Sequence, residues 1–484
     1  MFGIMIRTTS FLLFSVCFCV MGFAQEEDDD PSQRINQAVF NKIEYHFNQQ
    51  ETDSIYALGS EKFKQTLSLQ AFQTVMTQQL YPLGQIQSAE LKTFEKNTGV
   101  YKLNFISTPL QLVLGLDSLN KVEVFLFQPY AGDPLPEKTT PIESSNTASS
   151  KFDRYVDSVA LSYSRKGHTH ALAIGMINAG KTSNYFYGET EAGNKQLPDE
   201  NTLFEIGSIS KTFTATLLAY LVQTQQLSLD DSITKYLPDS VGVNPDLQRI
   251  TLQQLANHTS GLPRMPANID ETAADHALDP YSGYTQEHLY AYLKSYKATV
   301  PPDSMYQYSN LGFGILGDIL STVYGKPYDE MVQEIICQPL GLKNTTEHPD
   351  LDSQYVAKVY NEKGVETPLW TFDAFTAHGS LKSTVSDLLL YAKAHFQMPE
   401  TDLEHALALT RQFTYFNPPE TDIGLAWHMN VVGDELIYWH NGATFGSSSY
   451  LALAPDRKIA IVVLSNTAEP VDSVALAILK DMLK

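Results

Sequence analysis

The chain has 484 residues, 43% hydrophobic and 18% charged, the balance of a folded globular protein with room for two or three domains. Its 33 basic and 55 acidic residues leave a formal net charge of -22, which argues against nucleic acid and anionic membrane surfaces as partners.

Residues 1–24 read as a secretory signal peptide. Arg7 supplies the positive start, residues 11–21 the apolar run, and Gly22-Phe23-Ala24 a small-x-Ala cleavage site. The expectation is export, to a periplasm or the extracellular side. The run is too short for a membrane span, and no later one approaches that length. The mature chain is therefore expected to lack an integral span. Cys17 and Cys19 lie in the run, but bulky residues precede each, which argues against a lipid anchor. Cleavage leaves Cys337 alone. One cysteine forms no internal disulfide, and Ile335, Ile336 and Leu340 around it mark a core position.

Residues 25–31 form an acidic leader. From 32 to 130 the pattern is a small α+β accessory domain, with amphipathic helices at 35–47 and 62–80 and strands at 100–105 and 122–127. It carries no acid/base pair, metal spacing or glycine loop. Residues 131–150 are rich in Pro, Ser and Thr and read as a linker. The remainder, 151–484, is one catalytic-sized unit. A helix at 152–165 and a hairpin at 171–177 and 183–188 open it. A mostly helical stretch follows from 206 to 395. Strands at 436–440, 449–454 and 459–464 come next, with turn signals at Asn441-Gly442 and Pro455-Asp456. A helix at 474–483 closes it. Strands at both ends predict an antiparallel sheet built from the two ends of the domain, flanked by helices and carrying an inserted helical lobe.

Ser208-Ile209-Ser210-Lys211 is the most informative stretch. Residues three apart on a helix share a face, so hydroxyl and amine can meet. A serine nucleophile needs a base, and an unprotonated lysine is one. Free lysine has a pKa of about 10.4, so the site must depress it. Ser118-Leu119-Asn120-Lys121 and Ser232-Ile233-Thr234-Lys235 repeat the spacing, in a turn and a charged segment. Only Ser208 precedes an apolar helix, with Phe213, Leu217, Leu218 and Leu221 on one face. A first-turn serine there sits beside unpaired N–H groups and the positive end of the dipole.

Tyr308-Ser309-Asn310 lies between Pro301-Pro302 and a helix expected from Leu311. A tyrosine near a lysine can lose its proton below the usual pKa of about 10 and serve as general base. An asparagine offers a substrate amide both a donor and an acceptor. Tyr415-Phe416-Asn417 repeats the pattern, but prolines follow it. His440-Asn441-Gly442 ends a strand. The histidine could hydrogen-bond a substrate carboxylate or carbonyl, and Gly442 could admit a substrate backbone.

Ser-x-x-Lys, Tyr-x-Asn and His-x-Gly occur in this order, 100 and then 132 residues apart. With His258-Thr259-Ser260-Gly261-Leu262-Pro263, Pro339-Leu340-Gly341-Leu342 and 442–446 before Tyr450, the set resembles the serine β-lactamase and penicillin-binding family, in its class C branch. That branch includes D-alanyl-D-alanine carboxypeptidases, D-aminopeptidases and esterases. The resemblance covers 151–484. It implies an α+β, β-lactamase/transpeptidase-like fold and an acyl-enzyme formed on Ser208. Lys211 and Tyr308 would share the proton work, Asn310 would hold the substrate amide, and the N–H groups of Ser208 and Ala443 would form the oxyanion hole, at about 3–4 kcal/mol per donor.

His440 would stand where the family usually has a lysine that pairs with the β-lactam carboxylate. With a reference pKa of about 6.5 it is mostly neutral at pH 7. That moves weight from penicillin hydrolysis towards peptidase or esterase activity on small-molecule or peptide substrates such as peptidoglycan fragments. A true β-lactamase and a catalytically silent binder of wall fragments are the alternatives. No Gly-x-Ser-x-Gly elbow, His-Glu-x-x-His or paired-cysteine spacing occurs, so no metal and no cofactor are expected.

Overall fold

The computed structural model describes residues 30–105, 109–130, 135–273, 278–352, 354–417 and 421–484. The expected signal peptide and most of the acidic leader lie outside the described residues. At the leader's end, the Asp30 carboxylate accepts from the Ser32 N–H, and Pro31 opens the helix Pro31–Asn48. Proline suits that first position, because its missing N–H would be unpaired anyway. The chain divides after residue 131 into two compact units.

In the first unit, strands Ser88–Glu95, Thr98–Asn104, Pro109–Leu116 and Val122–Pro129 form an antiparallel meander in chain order. Phe40, Phe47, Phe72, Tyr101 and Leu112 lie in its core. The single helix expected at 62–80 is instead Glu61–Thr66, Leu69–Val75 and a π turn, Met76–Leu80. Ser68 breaks it by turning extended and accepting from the Ala71 N–H at 3.3 Å, the usual N-cap use of serine.

The linker expected at 131–150 gives way over its described part, because hydrogen bonds to the second unit satisfy its backbone. The Lys138 N–H donates to Arg165 O at 2.8 Å and the Ser145 N–H to Phe186 O at 2.9 Å. Asn146 Nδ2 donates to Asp153 O and Tyr187 Oη. Its polar residues anchor it to the second unit, while its side chains stay exposed or half-buried.

The second unit is built on a seven-stranded antiparallel sheet. Its strands run in the order Asp422–Ile423, His428–Val432, Glu435–Ala443, Ser448–Ala454, Ile459–Ser465, Leu172–Asn178 and Lys181–Tyr187. The first hairpin thus pairs with the last strand, Val462 opposite Gly175, and the two ends of the unit share one sheet. Helices Lys151–Ser164 and Asp472–Met482 cover one face through Val156, Ala160, Val474 and Ile478. The opposite face packs against the helical part, where Val385–Ala394 meets the central strands.

The helix Ser210–Gln223 is buried from Ser210 to Ala219 on every side, not on one face alone. A helix can run through a core this way only if its polar side chains are paired. Thr214 Oγ1 donates to Ala377 O at 2.6 Å, and Thr216 Oγ1 pairs with Tyr391 Oη at 2.9 Å. Cys337 is buried, as expected. Among the described residues, no helix is long and apolar enough to cross a membrane.

Candidate active site

Ser208 is the middle residue of a 3-10 turn, Gly207–Ile209, that leads into the buried helix. Gly207 has φ +49°, and a Cβ there would lie 2.8 Å from Ala443 N. A Cβ on Gly442 would lie 2.1 Å from Ile206 O and 2.9 Å from Ser208 N. The two glycines therefore press the nucleophile turn against the strand Glu435–Ala443, bringing the backbone at Ser208 beside that at Ala443. Gly442 makes room for the nucleophile turn. One expectation is corrected. Asn441-Gly442 lies inside the strand, and the reversal falls at Thr444–Ser447, where the Thr444 N–H donates to Ser447 O.

Lys211 Nζ lies 3.0 Å from Ser208 Oγ and donates to His378 O at 2.8 Å. It sits 4.9 Å from the ring centre of Tyr308 and 5.5 Å from that of Phe313. Lys211 is fully buried, and Ser208 is partly exposed. Burial lowers the lysine's pKa well below its ordinary value, and the Arg264 guanidinium adds to this. The amine can then be neutral, with a lone pair for the serine proton. Burial raises the Tyr308 phenol above its ordinary value, only partly opposed by the Ser208 hydroxyl and Arg264.

Tyr308 is held from both sides in sequence. Ser309 caps the helix Asn310–Tyr324, its Oγ accepting from the Gly312 N–H at 2.9 Å and donating to Pro263 O at 2.7 Å. The Ser309 N–H donates to His258 Nδ1 at 3.0 Å, and the His258 ring lies 4.3 Å from the Tyr308 ring. Upstream, Asp303 accepts from Gln254 Nε2 and Thr259 Oγ1. Asn310 is the first helical residue rather than a loop residue. It is buried, and its Nδ2 donates to Tyr281 Oη at 3.2 Å. Its Oδ1 is buried without a partner.

His440 lies on the facing strand, its ring 6.3 Å from that of Tyr308 and 5.1 Å from that of His428. Burial first, then His428 and Lys211, hold its pKa well below the usual value. Its Nδ1 lies 2.6 Å from Asn441 O, which can only accept, so Nδ1 carries the proton. Nε2 is then a bare acceptor, buried without a partner.

The structure thus gathers Ser208, Lys211, Tyr308, Asn310, His440, Gly442 and Ala443 around one turn. The repeated spacings have other local settings. Ser118 lies in the turn between two first-unit strands. Lys235 is exposed and paired with Asp231. Tyr415 makes an isolated bridge to Ile423. Sequence reasoning missed His258 as the prop of the Tyr308 loop, although its motif was in view, and it gave Arg264, Tyr281 and His428 no role. Thr376–Gly379 is a short helix whose His378 carbonyl accepts from the Lys211 amine. Among the described residues, no cluster of His, Cys, Asp and Glu could hold a metal ion.

A family model described as Beta-lactamase matches residues 150–482. The chain is 30% identical to the D-alanyl-D-alanine-carboxypeptidase/endopeptidase AmpH of Escherichia coli strain K12 over 340 residues, covering 67% of this chain and 85% of that protein. It is 28% identical over 359 residues to a β-lactamase of Lysobacter lactamgenus, covering 67% and 89%. Among solved structures, a class C β-lactamase matches with a TM-score of 0.62 at 26% identity, over 70% of this chain and 99% of that one. A β-lactamase/D-alanine carboxypeptidase from Pseudomonas syringae shares the fold with a TM-score of 0.62 at 24% identity, over 69% and 99%. With its antiparallel sheet, flanking helices and Ser208 turn, the chain belongs to the β-lactamase family of serine hydrolases.

Proposed function

We propose that the chain forms an acyl-enzyme on Ser208 and that its substrates are β-lactams and the related D-alanyl amides or esters. One observation carries this: a buried lysine amine 3.0 Å from a partly exposed serine hydroxyl and 4.9 Å from the ring centre of Tyr308. Lys211, neutral, takes the serine proton as Oγ attacks the acyl carbonyl. The N–H groups of Ser208 and Ala443 stabilise the oxyanion. Tyr308, as a phenol, hands its proton to the leaving nitrogen or oxygen and recovers one from Lys211. Water then repeats the sequence on the ester. Asn310 Oδ1 accepts from a substrate N–H. The leader pattern at 1–24 supports an exported enzyme.

The names of the relatives put β-lactam hydrolysis first. His440 favours the peptidase or esterase reading, because a neutral acceptor facing a β-lactam carboxylate offers no ion pair. Nitrocefin, p-nitrophenyl butyrate and a D-Ala-D-Ala peptide, compared by kcat/KM, rank these readings. A β-lactamase turns over nitrocefin fastest. A peptidase or esterase is acylated by nitrocefin but turns over its own substrate faster. A folded protein that turns over none of them and gives no adduct sinks the proposal and leaves a silent binder.

A further inference from the structure

Burial disfavours the charged form of the ionisable groups around Lys211 and Tyr308, with one exception. Burial keeps Lys211, His258, His378 and His440 below their ordinary pKa values and Tyr308 above its own. The exception is Arg264, since a guanidinium stays charged in proteins. It is exposed, and its guanidinium carbon lies 5.1 Å from the ring centre of Tyr308. Among the described residues no carboxylate pairs with it and its side chain donates no hydrogen bond, although the chain has 55 acidic residues against 33 basic ones. An exposed, unpaired guanidinium beside Tyr308 is a ready bidentate partner for a carboxylate.

A second unmet group stands next to it. The N–H groups of Asn310 and Leu311 donate to Arg264 O at 3.0 and 3.1 Å, which fixes Arg264 against the start of the helix. Asn310 Oδ1 is buried and unpartnered there. An acceptor without an N–H donor therefore lies next to an exposed cation without an anion. On the strand, His440 Nε2 is only a neutral acceptor. The pattern fits an acyl group whose amide N–H meets Asn310 and whose carboxylate lies a few atoms farther out.

We propose that Arg264 is a specificity-determining residue that recognises a carboxylate on the acyl portion of the substrate, an inference that rests on the acyl-enzyme reading above. It supplies, from the loop, the cation that His440 does not supply from the strand.

The test uses two thioesters identical but for one group, N-succinyl-D-alanyl and N-succinamoyl-D-alanyl, which exchange a carboxylate for a carboxamide. Wild type is expected to prefer the carboxylate by about tenfold or more in kcat/KM, chiefly through KM, and to lose preference as salt rises. In Arg264→Gln the preference is expected to fall to within about twofold, and in Arg264→Lys to be partly kept. Reading the ratio between the two substrates cancels any effect of the variant on Lys211 or on the amount of folded enzyme. Equal kcat/KM for the two substrates in wild type, or an undiminished preference in Arg264→Gln, overturns the proposal. If wild type hydrolyses neither and a fluorophosphonate leaves Ser208 unmodified, the acyl-enzyme reading falls, and this inference with it.

Discussion

Burying a lysine amine with no carboxylate beside it opposes folding, because the charged form is desolvated and the neutral form is reached only by giving up a proton. Lys211 is in that position, with a carbonyl and a hydroxyl for partners. Between its depressed folded value and the ordinary pKa of about 10.4 the unfolded chain binds this proton more readily than the folded chain, so the group lowers stability as pH falls through that window and the loss persists below it. Lys211→Met should therefore abolish acylation and yet raise Tm by a few degrees, measured by calorimetry. A fall in Tm would show that the amine is a stabilising partner rather than a stored base. The acidic limb of kcat/KM should report loss of the neutral amine. Arg264→Gln removes a positive neighbour, so the Lys211 pKa rises and the limb moves to higher pH. A limb that stays in place would assign it to another group.

At the scale of elements, the site depends on two junctions that leave no spare volume. The Gly442→Ala methyl would stand 2.1 Å from Ile206 O, backbone that cannot move without the nucleophile turn. The variant should lose activity by more than about a hundredfold and at least about 3 kcal/mol of stability, in the range of severe core strain. The other junction is Ser309, which ties the Tyr308 loop to Pro263 and caps the next helix. Ser309→Ala should cost about 1–2 kcal/mol, with kcat falling more than KM rises, because the phenol loses its placement. The three motifs and the sheet made from both ends of the unit were legible, since each rests on local pattern. The inward turn of Gly442 was not, because a glycine that admits a substrate and one that admits a neighbouring turn look alike in one dimension. The phenol's upward shift was hidden for a related reason. Proximity to Lys211 argues for a lowered pKa, and only the packing shows that burial outweighs it.

Across the whole molecule, the site residues all fall in the second unit, beyond residue 131. A chain beginning at residue 135 should still be labelled on Ser208 by a fluorescent penicillin; failure of a folded 135–484 protein to label would give the first unit a share in the site. Buried histidines set the acid stability. His258, His378, His395 and His440 are held well below 6.5, and His428 at about 4. Their folded pKa values are depressed, so below about pH 6.5 the unfolded chain takes up protons the folded chain refuses. Stability is full above that pH and declines as it falls, by up to about 1.4 kcal/mol per pH unit for each such group. Glu347, raised to about 7 by burial and Asp329, works in the opposite sense, as do Glu205 and Glu44, both raised by burial, but these three are fewer than the histidines. Tm should drop steeply between pH 7 and 5, and a flat profile would mean that the histidine cluster opens to solvent. The fold class was readable from the order of strands and helices. The docking of 138–150 was not, because Pro/Ser/Thr composition reports low apolar content and not whether polar groups find partners.

The account stands on one chemical event, a bond from the side-chain oxygen of Ser208 to an acyl carbon. Intact mass spectrometry after incubation with benzylpenicillin, followed by peptide mapping, should show a single added penicilloyl mass on the peptide carrying Ser208. No addition should appear on Ser208→Ala or Lys211→Met. A folded wild-type protein that stays unmodified by both the penicillin and a fluorophosphonate, or is modified on another residue, would contradict it.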